Sequence, residues 1–192
     1  MTLRERTRQA VQADIAATAM RLFLERGFDA TTMEQIATAV GISRRSLFRY
    51  FATKEDIVVG DLVERGRRVQ VALESRPPGE GPWEALRAAL ETMAREPAYS
   101  TEWASKVFRM LAETPSLRAR QLEKRLQWLE MLVPDIERRL GVAPGSAGDP
   151  RAAAIVSSAL ACLDVAVEAW NRGGGEGSIE DLYDAAVAAV RG

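Results

Sequence analysis

Between Thr31 and Lys54 the chain reads TTMEQIATAVGISRRSLFRYFATK, a stretch with little freedom in how it folds. Thr31 stands three residues before Glu34, the spacing of a capping box, and is expected to open a short helix. Ile36, Ala37 and Val40 give that helix a narrow apolar face. Gly41 can take the positive φ that ends a helix in a tight turn, and Ser43 is a good N-cap for a second helix over Arg44 to Phe51. In that second helix Leu47, Phe48 and Phe51 are expected to face inward, leaving Arg44, Arg45, Ser46, Arg49 and Tyr50 outside. Two short helices, a glycine turn and a basic, hydroxyl-bearing outer face make a helix-turn-helix.

Charge is distributed to match. The net charge of −1 conceals an excess of nine Lys/Arg over five acids in residues 1–54 and of 22 acids over 17 bases in residues 55–192. A basic end on an acidic body suits a nucleic-acid face. The chain has no histidine, which removes His-based metal sites and the usual general base, so neither an enzyme nor a metal or cofactor site is expected. The single Cys162 excludes an internal disulfide and fits a reducing cytoplasm. No unbroken apolar run approaches the roughly 20 residues of a membrane span, and the first residues are not signal-like.

Helical spacing runs along the whole chain. Val11, Ile15, Ala19, Leu22 and Phe23 form one stripe that Gly27 ends, with Phe28 tucked beneath it. Arg4, Arg6 and Arg8 precede or open this helix, either as an arm that touches DNA or as a solvated basic terminus. Thr53, with Asp56 three residues on, caps a helix to about Ser75 whose inner face is Val58, Leu62, Val69 and Leu73. Gly60 and Gly66 inside it either allow close packing or soften it. Beyond the Pro77–Pro82 loop come a helix with Trp83, Leu86, Leu90 and Met93, another over Glu102 to Glu113, and a long one to Leu140. The long helix carries the stripe Leu122, Leu126, Leu129, Val133, Ile136 and Leu140. Asp149-Pro150 is expected to start an almost wholly apolar helix to Trp170, and Ser178 to cap the last one. The expectation is an all-α chain of about nine helices: a three-helix DNA-binding domain over residues 1–55, then a larger helical domain over 56–192 for ligand binding and dimerisation.

The run Gly27-Phe28, Thr31-Thr32, Ile36-Ala37, Gly41-Ile42-Ser43, Leu47-Phe48, Tyr50-Phe51 and Lys54 closely resembles the DNA-binding domain of the TetR/AcrR family of bacterial transcriptional repressors, over about a quarter of the chain. Where that family often has a tyrosine this chain has Phe48, one phosphate hydrogen bond fewer. A two-turn helix fits the major groove, so Arg44, Arg45 and Arg49 are expected to read base edges while the short Ser46 lets the helix come close. The resemblance implies that Thr32, Ser43, Tyr50 and Lys54 anchor phosphates. It also implies a homodimer on a palindromic double-stranded DNA operator, paired through Ala152–Trp170 and Ile179–Val190, and release by an apolar small-molecule effector. Bulky or deformable side chains that could line the pocket are Trp83, Met93, Trp103, Phe108, Met110, Trp128, Met131 and Cys162. The competing readings are a small-molecule-binding helical protein, a ligand-independent DNA-binding protein, a transcriptional activator, or an enzyme working in the helical cavity.

Overall fold

The computed structural model describes residues 2–94, 102–142 and 148–192, without the side chains of residues 5, 61, 93, 94 and 102–104. Among the described residues there are nine α-helices and no strand. They are α1 (Leu3–Arg26), α2 (Met33–Val40), α3 (Arg44–Tyr50), α4 (Lys54–Glu74), α5 (Pro82–Ala94), α6 (Glu102–Glu113), α7 (Pro115–Arg139), α8 (Arg151–Arg172) and α9 (Ile179–Arg191). The all-α reading holds. Two compact units emerge: Met1–Asp61 with Met110–Leu122, and Leu62–Arg109 with Glu123–Gly192. Helices α4, α6 and α7 therefore contribute residues to both.

In the first unit α1 packs on α2 and α2 on α3. Ile15, Ala19, Leu22 and Phe23 are buried along α1, as the spacing predicts. Gly27 ends the helix at φ +91°, and Phe28 folds back with its ring centroid 5.0 Å from that of Phe23. The cap of α2 is one residue later than expected. Thr32, not Thr31, is the N-cap: its Oγ1 accepts from the Gln35 amide, and the Gln35 side chain accepts from the Thr32 amide. Thr31 is fully enclosed and donates its hydroxyl to the Gly27 carbonyl at 2.8 Å. Two capping boxes overlap in the sequence, Thr31 with Glu34 and Thr32 with Gln35, and only the burial of Thr31 separates them. Thr53 caps α4 through the Asp56 amide, and Arg120 donates to the Asp56 carboxylate at 2.5 and 3.0 Å.

The second unit is built on α8, which packs on α9 and α5. Val69, Leu73, Leu86, Leu132, Ile136 and Val156 are fully buried in its core. Gly66 shows close packing rather than softness: a Cβ there would lie 2.5 Å from Trp128 Nε1 and 2.8 Å from Met131 Cε. Trp128 uses the space to donate its indole N–H to the Leu62 carbonyl at 2.8 Å. Arg139, 5% exposed, donates to Asp135 and to the carbonyls of Leu73, Arg76, Pro77 and Glu80, tying the end of α7 to the end of α4 and the loop after it.

Several predicted faces turn out rotated. On α4, Val58 and Leu62 are half-buried while Ile57 and Val59 are buried. Of the α7 stripe only Ile136 is buried; Leu122 and Leu126 are exposed, and Trp128 and Leu132 take the inner positions. A shift of one residue turns a helix by about 100°, and α7 is apolar enough on two adjacent strips for either to serve. Helix α8 starts after Pro150, which holds the N-cap position, and Asp149 Oδ1 accepts from the Arg151 amide at 3.0 Å. By length and composition alone α8 could cross a membrane. A search for unbroken apolar runs passes over this because Asp164 and Glu168 interrupt it.

Candidate nucleic-acid interface

Helix α3 is presented by its neighbours. Gly41, at φ +78°, turns the chain between α2 and α3, its amide donating to the Thr38 carbonyl. Ser43 then caps α3 by accepting from the Ser46 amide at 3.1 Å. Leu47 is fully buried and sets which side of α3 faces in. At about 100° per residue, Arg45 and Arg49 lie nearly opposite Leu47, with Arg44 toward one edge. All three arginines are exposed. The sequence holds no acidic residue between Glu34 and Glu55, and among the described residues no carboxylate lies within 4.0 Å of these guanidiniums.

The expected inward face of α3 is narrower than the sequence suggests. Phe51 is half-buried and Phe48 is 41% exposed, so Leu47 alone is enclosed. Seven residues make only about two turns, too short a helix to bury a broad face. The Arg44 guanidinium lies 5.4 Å from the Phe48 ring centroid. Tyr50 is half-buried and has two such neighbours, Arg49 at 5.5 Å and Arg8 at 6.0 Å. Arg4, Arg6 and Arg8 are exposed and belong to the first turns of α1 itself.

Of the groups expected at phosphates, Thr32, Ser43 and Lys54 each have a role inside the fold. Thr32 and Ser43 accept their cap bonds, and Ser43 Oγ donates to Ser46 Oγ at 3.0 Å, which leaves the half-buried Ser46 hydroxyl its own proton to offer. Lys54 is the most occupied. Its ammonium donates to the carbonyls of Phe28, Asp29 and Thr31 at 2.9, 3.4 and 3.5 Å and lies 4.3 Å from the Phe28 ring centroid. Three N–H groups meet three carbonyls, so Lys54 staples the turn before α2 to the start of α4. Sequence reasoning missed two supports. Gln12 donates its side-chain amide to the Tyr50 carbonyl at 3.5 Å, and Gln35 completes the α2 cap. The second was legible as a T-x-x-Q spacing; the first had no local signal, because 38 residues separate the partners.

The proposed ligand-lining residues are scattered more widely. Trp128 and Cys162 are buried in the core of the second unit, with Trp83 and Met131 packed against it. Phe108 and Met110, on α6, are half-buried. The side chains of Met93 and Trp103 lie outside the described residues. None of the six whose side chains are described lines the partly open depression between α5, α8 and α9, whose walls include Leu90, Leu163, Ile179 and Tyr183. The Tyr183 hydroxyl is enclosed without a hydrogen-bond partner, and burial pushes both it and the Cys162 thiol above their usual pKa.

Comparison with known proteins agrees with this geometry. Residues 15–59 match the family model of bacterial regulatory proteins of the tetR family, and residues 80–192 match that of the MftR C-terminal domain. The HTH-type transcriptional regulator TcmR of Streptomyces glaucescens is 32% identical over 146 residues, 73% of this chain and 65% of that protein. MftR of Mycobacterium tuberculosis, named for the regulation of mycofactocin biosynthesis, is 32% identical over 136 residues, 71% of this chain and 69% of that protein. The chain thus spans about two thirds of the length of these relatives. Among solved structures, FadR of Thermus thermophilus, a transcriptional repressor in complex with lauroyl-CoA, superposes with a TM-score of 0.58 at 22% identity, covering 92% of this chain and 91% of that one. At that identity the likeness speaks for the fold alone. The chain belongs to the TetR family of bacterial regulatory proteins, with a C-terminal region of the MftR type.

Proposed function

We propose that this protein is a cytoplasmic, dimeric DNA-binding transcriptional repressor without catalytic activity, released from a palindromic operator by an apolar small molecule. The observation that carries the reading is the outer face of α3, where Arg44, Arg45 and Arg49 stand exposed with no internal carboxylate within 4.0 Å among the described residues. An arginine in that state can make two hydrogen bonds to the O6/N7 edge of a guanine. Arg45 and Arg49, opposite Leu47, are the foremost base readers, with Arg44 at the edge. Ser46 allows close approach; Thr32 and Tyr50 offer hydroxyls to phosphates, as Ser43 would once its proton turns away from Ser46, and Lys54 acts by holding the unit in shape. Residues 1–55 act as the DNA-binding domain and residues 56–192 as the ligand-binding and dimerisation domain.

Dimerisation is supported by what α8 and α9 leave uncovered. Ala154, Ala161 and Val165 on α8 and Ala185, Ala189 and Val190 on α9 are exposed, which suits close helix packing against a second copy. This accounts for the apolar character of α8 without a membrane. The two recognition helices of a dimer would enter successive major grooves roughly 34–36 Å apart. Ligand would bind in the second unit, among Trp83, Met93, Trp103, Phe108, Trp128, Met131 and Cys162; Met110 falls in the first unit and drops out of the set. The lauroyl-CoA held by the Thermus protein supports an acyl or otherwise apolar compound. Because α4 has residues in both units, a ligand that favours a different placement of α4 would lower DNA affinity.

Selection of bound duplexes from a random-sequence library, at low salt and with or without candidate acyl and aromatic compounds, tests this reading. The expected result is an inverted repeat whose recovery falls in the presence of one compound class. Absence of any preferred duplex sinks the proposal.

A further inference from the structure

Phe48 has no evident reason to be exposed. It is a large apolar side chain, 41% open to solvent, on a helix face otherwise made of arginines and a serine. Its position on α3 lies about 80° from the outward direction that bisects Arg45 and Arg49, so its ring flanks the part of the helix that would enter the groove. Arg44, one turn earlier, keeps its guanidinium 5.4 Å from the ring centroid and covers part of the ring with a cation. Phenylalanine has no hydroxyl to offer a phosphate. Whatever it gains on binding must come from apolar contact.

The major groove offers one projecting apolar group on its base edges, the 5-methyl of thymine, set among hydrogen-bond donors and acceptors. We propose that Phe48 is a specificity-determining residue that packs its ring against the methyl group of a thymine at a fixed position in each half-site. The inference rests on the reading of α3 as a major-groove helix. It adds that the operator is read by apolar contact beside the arginine contacts, and that a thymine flanks the bases that Arg45 and Arg49 read.

Deoxyuridine provides the test, because it keeps every hydrogen-bonding group of thymine and lacks only the methyl. The full chain is titrated with the duplex recovered by selection and with versions in which each thymine is replaced singly by deoxyuridine. At one position per half-site the replacement should weaken binding about fourfold, the worth of one buried methyl. Phe48→Ala should bind the parent duplex more weakly and bind the deoxyuridine duplex no worse than the parent. Its thermal unfolding should stay close enough to that of the wild type for the protein to be fully folded in the titration, because the ring is 41% exposed. If Phe48→Ala binds too weakly to compare, Phe48→Leu, which keeps an apolar contact, should retain part of the discrimination. Two outcomes overturn the proposal while leaving DNA binding intact: no deoxyuridine replacement weakens the wild type, or the weakening persists unchanged in Phe48→Ala. A wild type that binds no duplex at all overturns both this inference and the DNA-binding reading beneath it.

Discussion

Arginine has opposite fates on α3 and in the second unit. In the second, Arg87 is held by Asp184 through two hydrogen bonds of 2.6 Å, Arg139 by Asp135, Arg151 by Asp149, Arg76 by Glu80 and Arg191 by Glu84. On α3, Arg44 and Arg49 lie beside aromatic rings, and no carboxylate lies within 4.0 Å of them or of Arg45 among the described residues. Number of charges alone does not set α3 apart, since 17 of the 26 bases lie beyond residue 54. What sets it apart is pairing. A guanidinium already bound to a carboxylate must give up that partner to neutralise a phosphate, whereas a solvated one releases counterions and keeps the gain.

The largest break in this contrast should come at Arg139. Arg139→Met removes the buried donor to Asp135, itself 3% exposed, and leaves Arg138 as that carboxylate's remaining cation. Stripping one partner from a buried pair costs on the order of 3–5 kcal/mol, to be read from urea unfolding. A loss below about 1 kcal/mol would place this clamp with ordinary surface pairs. The opposite substitution comes next in size. Arg45→Ala with Arg49→Ala should cost about 1–3 kcal/mol of duplex affinity per lost base contact, with unfolding free energy unchanged to within about 0.5 kcal/mol. A variant pair that bound the selected operator as well as the wild type would erase the distinction between working and structural arginines.

How much of this was legible in the sequence depended on whether a signal was local. Gly41, Ser43, Thr53 and Ser178 were readable because a cap or a positive-φ turn is decided by a few adjacent residues, and each sits where expected. The bounds of α6, Glu102–Glu113, were read correctly for the same reason, with Thr114-Pro115 closing it. Which side of a helix is buried is settled by its neighbours, and there the reading slipped. Leu122 and Leu126 keep perfect helical spacing yet are 61% and 63% exposed. The inner strip of α7 is anchored instead by Trp128, whose partner at Gly66 is 62 residues away in the sequence. Phe48 failed likewise, since aromatic character alone does not say which positions of α3 its neighbours cover. On α3 the exposure of the three arginines was readable, but the absence of internal carboxylates around them among the described residues, and the staple role of Lys54, needed coordinates.

Thr32 allows a finer separation of cap from contact. Thr32→Ala removes the acceptor for the Gln35 amide and should cost about 1 kcal/mol of stability, whereas Thr32→Ser keeps the cap and should cost little. If the hydroxyl also donates to a phosphate, Thr32→Ala should lose duplex affinity under conditions where both variants are fully folded, with Thr32→Ser close to wild type. Equal affinity in all three proteins would assign Thr32 to the fold alone.

The smallest expected effects are those of pH, and they too divide the molecule. In the second unit the hydrogen bond from Arg87 holds the Asp184 carboxyl below the usual carboxylate range, against a weaker opposing effect of desolvation. Its folded pKa lies below its unfolded value, so the contribution is fully present above about pH 4 and is lost as pH falls through the lower, folded value. The pair is more than one-third exposed, and solvent screening keeps that contribution under about 1 kcal/mol. Asp184→Asn should therefore remove a small acid-dependent part of the unfolding curve and leave stability near pH 7 lower by no more than that. The α3 face should show no such response. The arginines keep their charge throughout, the chain has no histidine, and burial moves the Cys162 thiol further from neutrality. Duplex affinity, followed by fluorescence anisotropy at constant ionic strength, should accordingly stay level from about pH 6 to about pH 8.5, a range in which no free side chain of α3 ordinarily titrates. A slope of tenfold or more across that window would mean that a titrating group other than the arginines takes part in binding, and the division of the molecule into paired and unpaired arginines would no longer account for where it meets DNA.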